Sequence, residues 1–177
     1  MPKLLQSLYD QLKQAAKDLT TLRMNDANRI KLYETAHSFL DRDASPRDNA
    51  PDELACAETF NAIYTAAFGE PFYKGNQLST YYLRKALRES PLWKQVYIPA
   101  AGDCVISPTG FGTRKHPDNS LVIPNGHVGI IMFGGDIASN DSRAQFKGQF
   151  RTNYTLETWA DRYVRRGGYP MEYYRRI

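Results

Sequence analysis

The hydrophobic period of this chain changes once, near Trp93, and that change restricts the fold more than any other feature. Before it, apolar residues recur at spacings of three and four. Leu5, Leu8, Leu12, Ala15, Leu19 and Leu22 trace a stripe along a helix over residues 3–23, and Ile30, Tyr33, Ala36, His37 and Leu40 face one side of a second, which Asn25 or Asp26 caps. A third helix is expected from Glu53 to Phe68, capped by Asp52 and stopped by Gly69 and Pro71. A fourth starts at Ser79 or Thr80 and ends at Ser90-Pro91.

After Trp93 the segments Lys94 to Ile98, Asp103 to Ser107, Ser120 to Ile123, His127 to Phe133 and Asp136 to Ser139 read as short strands between Gly, Pro and Asn punctuation. Gly134-Gly135 marks a hairpin. Thr155 caps a helix through Leu156, Trp159 and Tyr163, and Met171 to Arg175 form a last strand. Helices first and a meander second predict an α+β domain, with the helices packed on a mostly antiparallel sheet of about five or six strands.

At 177 residues the chain holds about one domain. Residues 1–45 read as a helical hairpin or cap on a unit spanning 46–177. The formal charge of +4 favours anionic partners without choosing among them. Two cysteines, Cys56 and Cys104, are too few for a disulfide scaffold. The first ten residues lack a continuous apolar run, so no secretion signal is read there, and nothing approaches the roughly 20 apolar residues of a membrane span.

Asp41, Asp43 and Ser45 imitate the first ligands of a calcium loop, but Pro46 and Asp52 stand where that loop needs Gly and Glu. The segment is read as a solvated linker. Neither a metal nor a cofactor is expected.

Cys56 lies near the start of the third helix, where the positive end of the helix favours thiolate over thiol. Cys104, within Gly-Asp-Cys-Val-Ile, reads as a core residue of a strand. Among three histidines, His37 sits on a helix and His116 in a polar loop, whereas His127 opens an apolar strand beside Gly126, where a turn can expose its ring at the sheet edge. A base of this kind needs a third group on its distal nitrogen. Strand alternation puts Asn140 on the face of Ala138 and Asp141 on the other. One of the two is expected to face His127, and Asn140 is preferred.

The order Cys, His, Asn, together with the Gly102-Asp103-Cys104-Val105-Ile106-Ser107 and Gly126-His127-Val128-Gly129-Ile130-Ile131 strands, resembles the CHAP and NlpC/P60 group of papain-like peptidoglycan hydrolases, in particular small phage lysins. The resemblance covers residues 50–176. It implies a papain-like fold with Cys56 as nucleophile, His127 as base and Asn140 as orienting residue. It also implies a monomer that cleaves an amide of the peptide stem or the muramoyl–alanine linkage through a thioester. Such a protein is made in the cytoplasm and reaches the wall after release or as a phage component. Ala138 departs from the group, many of whose members carry a carboxylate there, which leaves Asp141 as the alternative third residue.

Two other functions compete. Arg162, Arg165, Arg166, Arg175 and Arg176 interleave with Tyr163, Tyr169, Tyr173 and Tyr174, a composition that can grip phosphates and stack on bases. In the hydrolase reading the same residues attract an anionic wall, and no nucleic acid is expected. A silent interaction module, assembled through the leucine-striped first helix, is the third reading.

Overall fold

A computed structural model describes residues 27–45, 54–73 and 79–177, together with Lys13 and Pro51. The helix expected over residues 3–23, the caps Asn25, Asp26 and Asp52 and the linker from residue 46 to 50 lie outside the described residues.

Helix α1 (Ala27–Ser38) leads into the two-residue strand β1 (Arg42–Asp43), followed by α2 (Cys56–Phe68) and α3 (Thr80–Glu89). Six strands then dominate: β2 (Trp93–Val96), β3 (Cys104–Ser107), β4 (His127–Ile131), β5 (Asp136–Asn140), β6 (Gln149–Thr155) and β7 (Glu172–Arg176). Between β6 and β7 the helix α4 (Leu156–Trp159) continues as a π-helical segment over Ala160–Arg166. The result is an α+β fold: one seven-stranded sheet in the order β1-β6-β5-β4-β3-β7-β2, with every neighbouring pair antiparallel.

The elements form where the local chemistry directs them, with three exceptions, the first being β1, which pairs with β6 inside a segment read from the sequence as linker. Gly69, at φ 85°, ends α2, and its N–H bonds the carbonyl of Thr65. Thr155 caps α4 in a reciprocal pair with Thr158. Ser120 to Ile123, expected as a strand, makes only the isolated bridge Lys115↔Leu121, because the turn at Asn119 (φ 69°) folds it back on its own loop and gives it no partner strand. Conversely β6, seven residues long, carries only one buried side chain, Phe150, and so shows no apolar alternation to mark it.

Alternation along β3, β4 and β5 divides the core between the two faces of the sheet. Cys104, Ile106, Val128, Ile130 and Ala138 face the helices and pack with Leu32 and Ala36 of α1, Phe60 and Ile63 of α2, and Leu83 and Leu87 of α3. Val105, Ile131 and Ile137 face the other way, under Trp159, Tyr163 and Tyr169. Charge is buried as well. Asp103, fully enclosed, accepts bonds from Arg175 Nε at 2.8 Å and Nη2 at 2.6 Å and from the N–H of Ala100, while Arg29 donates to the carbonyl of Ala101 at 2.7 Å. Burial pushes the Asp103 carboxyl above its ordinary value, with Arg175 pulling the other way.

Candidate active site

Cys56 is the first residue of α2, which is assigned from Cys56 rather than from Glu53. No side chain caps this end, so the first N–H groups have no partner of that kind. The thiol is buried in the core cluster and also lines a cavity of about 180 Å³ with Leu54, Thr80, Thr109, Asn125 and Gly126. Backbone N–H groups of Val128, Ala57 and Cys56 itself lie against it. Val128 is the residue after His127, so α2 and the start of β4 meet at this point.

The expectation of a depressed thiol pKa is not met. Burial pushes the Cys56 thiol up to about 11, and the three N–H groups offset only part of that rise. Cys104 is fully enclosed and is driven well above the usual thiol value by burial and by the neighbouring Asp103. Both cysteines are free thiols.

His127 is buried at the N-terminal end of β4, after a turn that only glycine permits. A Cβ on Gly126 would stand 2.2 Å from the nitrogen of Thr109 and 2.3 Å from the carbonyl oxygen of Ser107. The Gly126 N–H bonds Thr109 Oγ1 at 2.9 Å, tying this turn to the loop that follows β3. The imidazole lies in an aromatic box, stacked on Trp159 (centroids 5.3 Å apart) and Tyr163 (5.7 Å) with the edge of Tyr154 at 5.9 Å. Trp159 is itself pinned by its Nε1–H to Ser107 Oγ at 3.0 Å.

The polar partner of the ring is Ser139, not Asn140. His127 Nε2 lies 2.9 Å from Ser139 Oγ, and that hydroxyl donates to Asn153 Oδ1 at 2.7 Å. A serine hydroxyl has one proton. With that proton given to Asn153, Ser139 can only accept from His127, so the neutral ring carries its hydrogen on Nε2 and presents a bare lone pair on Nδ1. That is the tautomer a base at Nδ1 requires.

Register explains why Asn140 is displaced. Gly129 pairs with Ser139, so Ser139 shares the face of Gly129 and His127, and Asn140 falls on the opposite face with Val128 and Ala138. There Asn140 is buried against α2, where it accepts from Thr59 Oγ1 at 3.5 Å. Asp141, the alternative third residue, is held by Arg143 through its backbone N–H at 2.9 Å and its Nε at 3.0 Å. Burial raises the Asp141 carboxyl, but the bonds from Arg143 outweigh it and the net shift is downward. The β6 residue Asn153 was invisible to sequence reasoning. The register shift between Ile137 and Ala138 leaves it as the extra residue opposite β5, and its side chain reaches Ser139.

Burial in the aromatic box holds the imidazole down at about 3, helped by the charge of Arg162, while Asp141 acts in the opposite direction. At neutral pH the Cys56 thiol and the His127 imidazole are therefore both neutral, and they lie toward opposite faces of β4, the thiol with Val128 on the helix face and the ring in the aromatic box on the other.

Other candidate features resolve into structure. Asp43 Oδ1 accepts from the N–H and hydroxyl of Ser45 in a local turn, and Asp41 pairs with Arg151 at 2.9 Å, so these two carboxylates of the calcium-like segment are engaged elsewhere. Among the described residues no cluster of three or more His, Cys, Asp or Glu side chains is arranged to hold a metal, and no helix is long and apolar enough to cross a membrane. The basic-aromatic tail is not one surface: Tyr163, Tyr169 and Tyr174 are buried, Arg175 is spent on Asp103, and Arg165 and Arg166 pair with Glu157 and Asp161.

No family model matches the chain. No curated protein matches it either. Among solved structures it is similar to a chain of the type VI native effector-immunity complex Tae3-Tai3 from Ralstonia pickettii, at 15% identity and a TM-score of 0.48, over 84% of this chain and 98% of that one.

Proposed function

We propose that this protein is a cysteine hydrolase that cleaves an amide bond of bacterial peptidoglycan, with Cys56 as nucleophile and His127 as base. The observation that carries the reading is the relay His127–Ser139–Asn153, which fixes a base tautomer on the strand whose next residue, Val128, lies against the Cys56 thiol at a helix start. The orienting role passes from Asn140 to Ser139. The choice of peptidoglycan rests on the resemblance in the cysteine helix and the two strands, and on the cationic surplus of the chain.

The chemistry follows from a neutral resting pair. As the Cys56 sulfur bonds to the scissile carbonyl carbon, its proton goes to His127 Nδ1, a transfer that requires the ring to reach round the start of β4 from the opposite face, and the carbonyl oxygen takes up negative charge. The uncapped N–H groups at the start of α2 point along the helix dipole and are suited to receive that oxyanion. Imidazolium and oxyanion form together, so neither charge stands alone in the dry box. His127 then protonates the leaving amine as the C–N bond breaks. Water, deprotonated by Nδ1, attacks the thioester carbon; the C–S bond breaks, and the sulfur recovers the proton.

The test is lysis of purified cell wall. Wild-type protein should release new amino termini, and Cys56→Ala and His127→Ala should remain folded and release none. Mass analysis of the fragments separates cleavage of the muramoyl–alanine amide from cleavage within the stem. Lysis retained in Cys56→Ala would refute the assignment.

A further inference from the structure

Resting on the hydrolase reading, we infer that Arg162 is the binding residue for a carboxylate of the substrate, seated in the groove beside the His127 box. The groove has a volume of about 500 Å³ and is lined by Asn153, Tyr154, Thr158 and Arg162, together with a set of paired charges on the same helix. Two of its walls belong to the relay already described: Asn153 accepts from Ser139, and Tyr154 lies edge-on to the His127 ring. A ligand in the groove is therefore next to the base.

The charges of the groove do not balance. Arg165 is bound to Glu157 at 2.7 Å and to Asp161 at 3.2 Å, and Arg166 to the other oxygen of Asp161 at 3.2 Å. Three guanidiniums against two carboxylates leave one positive charge, and of the three that line the groove Arg162 is the one in no ion pair with Glu157 or Asp161. Its Nε is buried and has no hydrogen-bond partner, while the guanidinium lies 5.6 Å from the centre of the Tyr163 ring. A half-buried guanidinium with an orphaned N–H is an unfavourable arrangement for folding alone. One of its N–H groups is used by the Tyr163 hydroxyl, and the remaining donors of the planar fork are suited to a carboxylate, which such a fork meets with parallel bonds.

The backbone supports this placement. Arg162 sits in the π-helical segment Ala160–Arg166, which widens the turn that carries both Arg162 and the ring under His127, Tyr163. Its positive charge also disfavours the imidazolium of His127, and an anion bound at the guanidinium would relieve that opposition in the charged step. Stem peptides carry free carboxylates next to the amide bonds that a wall hydrolase cuts, which identifies the ligand as an acidic peptide rather than a neutral one.

The experiment uses the full chain carrying Cys56→Ala, which blocks turnover, titrated with a γ-linked D-glutamyl stem peptide bearing a free α-carboxylate and with the same peptide amidated at that group. Tryptophan and tyrosine fluorescence reads the binding. The acid should bind at least about tenfold more tightly than the amide, and that preference should vanish in Arg162→Met and be reduced in Arg162→Lys, which keeps the charge without the fork. Circular dichroism checks that the variants are folded, and the lysine variant keeps the test valid if the methionine variant is not. Equal binding of the two peptides, binding of neither, or a preference that survives in Arg162→Met would each overturn the inference. Wall lysis by the wild type with no acid preference would remove the carboxylate site and leave the hydrolase reading standing. Acid-selective binding without lysis would do the reverse.

Discussion

Replacing Ser139 by alanine removes the one atom that joins His127 to Asn153, and the consequences can be worked out from the surroundings of each partner. Ser139 is fully buried, with its hydroxyl 2.9 Å from Nε2 and 2.7 Å from Asn153 Oδ1. Asn153 is only partly buried, so water can replace the lost bond there at little cost. Nε2 is enclosed by Trp159, Tyr163 and Tyr154 and has no such recourse. One stranded donor costs about 1–3 kcal/mol, and a urea melt should register a loss of that size.

The ring also loses the bond that keeps its proton on Nε2. Moving the proton to Nδ1 removes the lone pair that accepts from the thiol, so lysis should fall towards the loss of a general base, about 10²–10⁴-fold when the competent tautomer is lost entirely. Nitrogen-15 NMR of the imidazole reports the tautomer without any reference to turnover. Wild type should show the hydrogen on Nε2, and Ser139→Ala a mixture. Asn140→Ala serves as the control. It removes a buried group that faces α2, so it should cost stability and leave the tautomer untouched. An unchanged tautomer and full lysis in Ser139→Ala would refute the relay.

Stability should fall with acid. His127 has a folded pKa of about 3 against 6.5 for a free imidazole, so the unfolded chain takes up the proton first. Its contribution is complete above about pH 6.5 and is lost towards pH 3 at about 1.4 kcal/mol per unit, or about 2.7 kcal/mol by pH 4.5. Urea midpoints at pH 7 and 4.5 should therefore differ more in wild type than in His127→Gln. Arg175→Leu strands the enclosed Asp103 carboxylate and should cost about 3–5 kcal/mol in the same assay, with Asp103→Asn recovering part of the loss in the double variant. Gly126→Ala forces backbone apart ahead of β4; it should abolish lysis and lower the melting temperature by several degrees, and a wild-type melt would show that the turn tolerates a Cβ.

What the sequence determined by itself was local. The period change near Trp93 separates α1 to α3 from the sheet, a helix start within three residues of Cys56 and a strand start at His127 follow from glycines and apolar runs, and Gly126 announces a close approach before that strand. Each depends on interactions within a few residues, so each leaves a pattern in the order of side chains.

Tertiary structure decided the rest, because the remaining questions turn on which face a residue occupies and what lies across from it. Ser139 and Asn140 are adjacent, and either suits a hydrogen-bonding role. The pairing of Gly129 with Ser139 sends one to the base and the other to α2, and a shift of one residue would exchange them. Asn153 enters the site only through the register shift opposite Ile137 and Ala138, on a strand held by its neighbours rather than by its own hydrophobicity. Position at a helix start favours a thiolate, and sequence makes that position legible. Burial, which depends on every element packed around Cys56, overrides it and leaves a neutral thiol.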